Sequence, residues 1–388
     1  MSEATRAGTI PRAVLPDHCD VGNGVVVHAH DLRVEPGVRI GDGVHLVGET
    51  VHLGRDVRIG ADSDLRAGTI SIGAGSEIAG GVRVLCADSF RVGDAARVCA
   101  GVDVVARSFD AGRLLYLGPH TVVGYGGTLE STAVVRIGDR VSIGPHNILN
   151  ANCEITLGSD VGSGGYVSLW THGYHFAHSV LDGYHTAFTP VSIGDRVWLG
   201  YHCSVMPGAD IGEECIVASG AVVTRSFPAR RLLAGVPAKE KTTFDQPVLS
   251  DEQALDAVRE ALRSWHRELR WKGVQADLVD DGVVVQHAGR ARFVELRGDA
   301  AEVATAGPDE RGDRIVVAVD GKPDPEPGDT PFFVVRRRLF SGPTDELVED
   351  LRDHLRRRTM PCGDERTFSS IVPAAFRALT AATEGVHA

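Results

Sequence analysis

The sequence predicts a mainly β protein: a parallel β-helix of six-residue repeats, followed by a smaller C-terminal α+β domain. Three observations point there. Aliphatic residues recur at intervals of six over 137–167 and again over 193–223. Glycine is abundant, at 46 residues, while aromatics make up only 6% of the chain, which suits many tight turns around a narrow aliphatic interior. Beyond Lys241 the six-residue rhythm stops and helix-like and strand-like patterns take over.

The first series is Ile193, Leu199, Val205, Ile211, Val217 and Val223, with glycine following at Gly194, Gly200 and Gly212. The second is Ile137, Ile143, Leu149, Ile155, Val161 and Val167. Upstream, the triplets Val34/Ile40/Leu46, Leu53/Ile59/Leu65 and Ile72/Ile78/Val84 keep the interval within each triplet and step by seven between them. A helix repeats every 3.6 residues and a strand every two, so six fits neither alone. It fits a short strand plus a tight turn, three of which close a triangular coil of ~18 residues. Coils stacked ~4.8 Å apart from about Val21 to Val236 make roughly ten turns and a rod of ~50 Å. A sandwich would alternate at period two over longer runs and lose the six-residue phase.

The totals narrow the function. At ~100–200 residues per domain, 388 residues suggest two or three domains. A net charge of −12 and the lack of a basic stripe argue against nucleic acid. The run Arg356–Arg358 lies among acids on a predicted helix and reads as a solvated face. Seven cysteines without a CxxC pair suggest reduced thiols. The first residues, MSEATRAGTIPRAV, have no apolar core, and no run of eighteen apolar residues occurs. The expectation is a cytoplasmic protein with no membrane span.

The phase breaks over 171–190, THGYHFAHSVLDGYHTAFTP, and a long excursion within a compact repeat is usually functional. Directly after it comes TPVSIGDRVWLGYHCSVMPGADIGEECIVASGAVVTRSFPARRLLAGVPAKEK, over 189–241. With P-V-x-I-G-D-x-V-W-L-G, P-G-x-x-I-G, A-S-G-A-V-V-T-R and A-G-V-P-A-K in order and in phase, it resembles the hexapeptide-repeat acyltransferases, including the galactoside, maltose and sugar O-acetyltransferases. The resemblance covers about 21–241 as a repeat and 137–241 as specific motif. It implies a left-handed β-helix, against the usual right-handed crossover rule. It also implies acetyl-CoA as acyl donor, a sugar or small-molecule acceptor, no metal, and a homotrimer with active sites between neighbouring rods.

The resemblance further implies a histidine base in the excursion. His172, after the strand-like YVSLW, is the first candidate and His175 the second; His178 and His185 read as exposed loop histidines. Asn150 and Asn152 lie one coil upstream, where similar enzymes carry an asparagine that contacts substrate or oxyanion; turn geometry alone would also favour asparagine there. Gly200, Ala218, Ser219 and Gly220 would let the pantetheine arm approach backbone amides, or serve only as turn residues. Arg225, where the family often has lysine, and Lys239 would pair with CoA phosphates, or simply lie in solvent. Trp198 reads as a wedge between rods. Cys153, Cys203 and Cys215 read as core fillers.

The expected boundaries are an N-terminal segment over 1–20, the β-helix over 21–243, and the α+β domain over 244–388. In the last, 250–273 reads as a helix with a Ser250–Gln253 capping box and an apolar face of Leu255, Val258, Leu262, Trp265 and Leu269. Strands are expected over 282–286, 291–296, 314–319 and 332–337, a loop over 322–329, and a second helix from Thr344 with Leu347, Leu351 and Leu355. This domain shows no catalytic constellation. Other functions remain on the table: N-acetylation of an amine, a zinc hydratase of the γ-carbonic-anhydrase type using His172, His175 and His202, and a non-catalytic assembly rod. No nucleotide-binding domain is expected ahead of the repeat.

Overall fold

The computed structural model describes residues 10–124, 131–173, 179–243, 248–299, 313–321, 330–363 and 371–377. The chain divides into two compact units, 1–245 and 246–388. The first is a parallel β-solenoid. Its coils are tied by three columns of inward side chains, each pairing with the coil below and the coil above.

One column runs Ile40, Ile59, Ile78, Val98, Leu117, Ile143, Ser163, Leu199, Val217 and Leu233. A second runs Leu46, Leu65, Val84, Val104, Val123, Leu149, Leu169, Val205 and Val223. A third runs Val34, Leu53, Ile72, Val92, Ala111, Ile137, Leu157, Ile193 and Ile211. The interior is mainly aliphatic; Phe90, Phe109 and Phe227 are the aromatic members of its buried core among the described residues.

The registers locate every irregularity. The step from first column to second is six residues in each coil, from Ile40–Leu46 to Val217–Val223. The step from third to first is also six, from Val34–Ile40 to Ile211–Val217. Only the step from second to third varies: seven at Leu46–Leu53, eight at Leu149–Leu157, twenty-four at Leu169–Ile193, and six at Val205–Ile211. Two corners of the triangle are thus constant, and the third carries every insertion.

This corrects one expectation. The even series through Ile155, Val161 and Val167 suggests unbroken six-residue steps, yet the columns continue at Leu157, Ser163 and Leu169. The corner after Leu149 is two residues longer than the shortest one. A slip of two leaves every side chain on its original face, so Ile155, Val161 and Val167 are buried all the same. The structure also places the N-terminal segment. From residue 10 onward it packs on the end of the rod: Ala13 N donates to Val27 O, and Ala29 N to Pro11 O. That contact covers an open sheet end that would otherwise expose unpaired backbone groups.

The second unit holds helix α1, Asp251–Trp271, with the expected Ser250–Gln253 capping box, and helix α2, Glu346–Arg357, capped by Asp345. Gly273, at φ 81°, takes the left-handed conformation that ends α1. A six-stranded sheet runs in chain order through Gln275–Val279, Gly282–His287, Arg290–Asp299, Asp313–Asp320, Phe332–Val334 and Leu339–Ser341. The first and last of these lack a sequence signal: Leu278 and Val279 are exposed edge residues, and the last strand has only three residues. The expected loop at 322–329 lies outside the described residues. The basic run is paired as well as solvated, with Arg356 on Asp353, Arg357 on Glu268 and Asp353, and Arg358 on Glu268.

Candidate active site

The third corner builds the site. The strand Ser168–Trp170 ends at Thr171, and the chain leaves the coil there as His172–Gly173. It returns as Ala187–Phe188, pairing antiparallel with His172–Gly173, and Thr189 N donates to Thr171 O at 2.9 Å. The excursion is therefore closed at its base by two short strands, and its described part includes a 3-10 turn at Val180–Asp182. One coil below, the lengthened corner after Leu149 presents Asn150.

These two corners meet. His172 Nδ1 lies 2.6 Å from Asn150 Oδ1. An amide oxygen only accepts, so the imidazole donates from Nδ1 and keeps Nε2 as its basic nitrogen. The Phe188 ring stacks on the imidazole at 5.8 Å between centroids, and Trp170 meets it edge-on at 6.4 Å. Partial burial pushes the His172 pKa below the ordinary imidazole value, which favours the neutral ring. Asn150 is fully buried, and among the described residues its Nδ2 has no hydrogen-bond partner. Leaving a buried donor unpaired costs ~1–3 kcal/mol.

The other anticipated residues fall into separate groups. Asn152 is buried on the same corner as Asn150, and its carbonyl accepts from Thr132 Oγ1 at 2.7 Å. His175 and His178 lie outside the described residues; His185 is exposed. Gly200, Ala218, Ser219 and Gly220 share the corner between the first and second columns, called the first constant corner, in two successive coils. A Cβ on Gly200 would sit 2.5 Å from Ser219 N, so close coil stacking alone explains that glycine. Around Gly220 the space is open. Arg225 is exposed and rests over the Phe227 ring at 4.9 Å. Lys239 is exposed on the closing strand Lys239–Thr243. Trp198 is half exposed and lies across Gly162 of the coil below. Burial pushes the Cys203 thiol up to about 12 and raises Cys215 as well, which makes neither a nucleophile. Cys153 is only partly buried.

Two features escaped the sequence reading. Thr171 is fully buried between the corner that carries Asn150 and the start of the excursion. On the first constant corner, rings stack up the rod: His120 on His146 at 5.1 Å, His146 on Tyr166 at 4.9 Å, and Tyr166 against Tyr201 at 5.8 Å. His120, His146 and Tyr166 hold left-handed backbone conformations, φ 56°, 56° and 58°, which cost an L residue ~1–2 kcal/mol each. The signal was available: all three fill the same place in the turn, two residues before the second-column strand.

Among the described residues, no group of three or more His, Cys, Asp or Glu side chains is arranged to hold a metal ion. No helix among them is long and apolar enough to cross a membrane.

Residues 190–225 match the family model for the bacterial transferase hexapeptide, six repeats. The chain is 34% identical over 124 residues to a provisionally assigned acetyltransferase of Staphylococcus aureus (strain MRSA252), covering 29% of this chain and 60% of that one. It is 28% identical over 123 residues to the galactoside O-acetyltransferase of Escherichia coli (strain K12), covering 30% and 61% respectively. A solved galactoside acetyltransferase in complex with coenzyme A aligns with 24% identity and a TM-score of 0.31, over 36% of this chain and 72% of that one. The chain thus spans about three fifths of the length of these curated relatives.

Proposed function

From a rod that carries the bacterial transferase hexapeptide repeat, we propose a CoA-dependent acyltransferase in which His172 is the general base. The acyl group is acetyl, and the acceptor is a hydroxyl of a sugar or small molecule. The supporting observation is the 2.6 Å contact between His172 Nδ1 and the buried Asn150 Oδ1, on the corner where the repeat opens into its long excursion. The galactoside O-acetyltransferase likeness supports the donor and the acceptor class.

The chemistry follows from the ring's orientation. Nε2 takes the proton of the acceptor hydroxyl as its oxygen attacks the thioester carbonyl. The C–S bond then breaks, and the imidazolium returns the proton to the leaving thiolate. Asn150 holds the Nδ1 proton throughout, which orients the ring and stabilises its cationic form. Gly200, Ala218, Ser219 and Gly220 offer a low-relief corner for the pantetheine arm, with Arg225 and Lys239 near the phosphates. On two successive coils next to the excursion, the outward side chains Trp198 and Ile216 stack and are partly exposed, an apolar strip that suits packing against neighbouring copies in a homotrimer.

Thiol release from acetyl-CoA, measured across sugar and amine acceptors, tests the proposal. His172→Ala should lower turnover by ~10²–10⁴-fold and leave acetyl-CoA affinity nearly intact. Full activity in that variant moves the role to another residue, with His175→Ala the next to measure. A preference for amines over hydroxyls makes the enzyme an N-acetyltransferase. Loss of activity on chelation, with stoichiometric zinc in the purified protein, would favour a hydratase instead; His172 and His202 occupy different corners of the rod, which weighs against that reading.

A further inference from the structure

We infer that Thr171 is a positioning residue of the base: it acts through Asn150 to set the tautomer and orientation of His172. The inference rests on the acyltransferase reading and goes beyond it, because Thr171 needs no contact with substrate.

The argument starts from backbone bookkeeping. The corner after Leu149 has two residues more than the shortest corner, so its amides cannot all follow the regular coil-to-coil ladder. Thr171 fills the gap. Its hydroxyl donates to Asn150 O at 2.6 Å and accepts from Asn152 N at 2.9 Å and Cys153 N at 3.0 Å. Its own backbone N also donates to Asn150 O, at 3.2 Å. One hydroxyl thus serves three backbone groups of the lengthened corner, using its donor and both acceptor sites.

The position is as telling as the bonds. Thr171 directly precedes His172, so the same residue anchors the start of the excursion and the corner that carries Asn150. Two separate pieces of chain are fixed to one side chain, and the 2.6 Å contact between His172 and Asn150 spans the gap between them. Threonine suits the task because a β-branched side chain has few rotamers, and because it is fully buried here. Thr132 adds a brace from the coil below, donating to Asn152 O. A chain that needed only to turn this corner could do so with fewer residues, as Val205–Ile211 does.

Thr171→Val keeps the shape and removes the hydroxyl. The expected result is a fall in kcat of ~10–100-fold, as for a small misplacement of a reacting group, with the KM for acetyl-CoA within about twofold of wild type. ¹⁵N NMR of the His172 ring, assigned by loss of its signal in His172→Gln, should show the proton on Nδ1 in wild type and a loss of that preference in Thr171→Val. Thr171→Ser should restore both kcat and tautomer to near wild type. In the double variant Thr171→Val/Asn150→Ala, kcat should match that of Asn150→Ala alone, since both changes cut the same link. Wild-type turnover and an unchanged ring in Thr171→Val would overturn the inference, as would fully additive losses in the double variant. Thr171→Ala, which leaves room for a water in place of the hydroxyl, is held to the same outcomes if Thr171→Val does not fold. If wild-type protein transfers no acyl group to any acceptor, the functional reading falls, while the NMR arm still decides the role of Thr171.

Discussion

Two corners of the solenoid never change length, and the third changes in nearly every coil. On the constant corners, glycines let coil rest on coil: a Cβ on Gly41 would lie 2.6 Å from Ala61 N, and one on Gly60 2.3 Å from Gly80 N. No residue can be added there without separating the stack. On the third corner, the two strands of the early coils merge into single nine- or ten-residue strands such as Val26–Val34 and Arg83–Val92, and the chain bulges outward. Local freedom of this kind costs little when the ends stay close together. The proposed catalytic groups gather where the stack does not dictate length: Asn150, Thr171, His172 and the excursion all belong to the third corner.

The sharpest way to break this comparison is to insert two residues at each kind of corner. After Ala61, on a constant corner, the insertion should cost about 4 kcal/mol or more, enough to leave little soluble protein. After Gly68, on the third corner of the same coil and far along the rod from His172, the cost should stay within about 1 kcal/mol. Denaturant midpoints of the two proteins check both. Similar losses at both corners would end the distinction. Next in size, Asn150→Ala should lower kcat by ~10–100-fold, at least as much as Thr171→Val, by releasing the His172 ring, with the β-rich circular-dichroism spectrum unchanged.

A pH profile sharpens the picture further. Burial lowers the His172 pKa, and a base acts only when deprotonated. Activity should therefore fall on the acid side, with the midpoint of kcat/KM below about 6.5. Asn150→Ala should move that midpoint down, because the imidazolium loses its hydrogen-bond acceptor. The smallest effect belongs to the rod's surface. Arg140 and Asp160 pair at 2.7 Å between successive coils, with both side chains about a third exposed. Arg140→Ala should change stability by less than about 1 kcal/mol.

The comparison also explains which residues were legible. Ile193 through Val223 announce their coils because both constant corners and the shortest third corner share one interval. The lengthened corner after Leu149 stayed hidden, since two extra residues preserve the inward alternation and Ile155 still looks like a column member. His172 could be singled out by its place after YVSLW. Asn150 was one of two asparagines, both buried, and only the contact with His172 separates their roles. Thr171 carried no signal, because a buried threonine at a strand end is ordinary until its three partners are known. In the second unit, the capping box and apolar stripe of α1 were readable, whereas two edge strands with few buried side chains were not.

Taken alone, the sequence determined the architecture of the rod, because an inward aliphatic every sixth residue leaves the backbone few other ways to bury it. It also determined where the repeat yields to a second unit with its own helix signals. Only the tertiary structure decided which corner absorbs the extra residues, and that Asn150 and His172, twenty-two positions apart, meet through one hydrogen bond. Periodic burial is a local property repeated along the chain, whereas a contact between neighbouring coils depends on how many residues each coil spends before it closes.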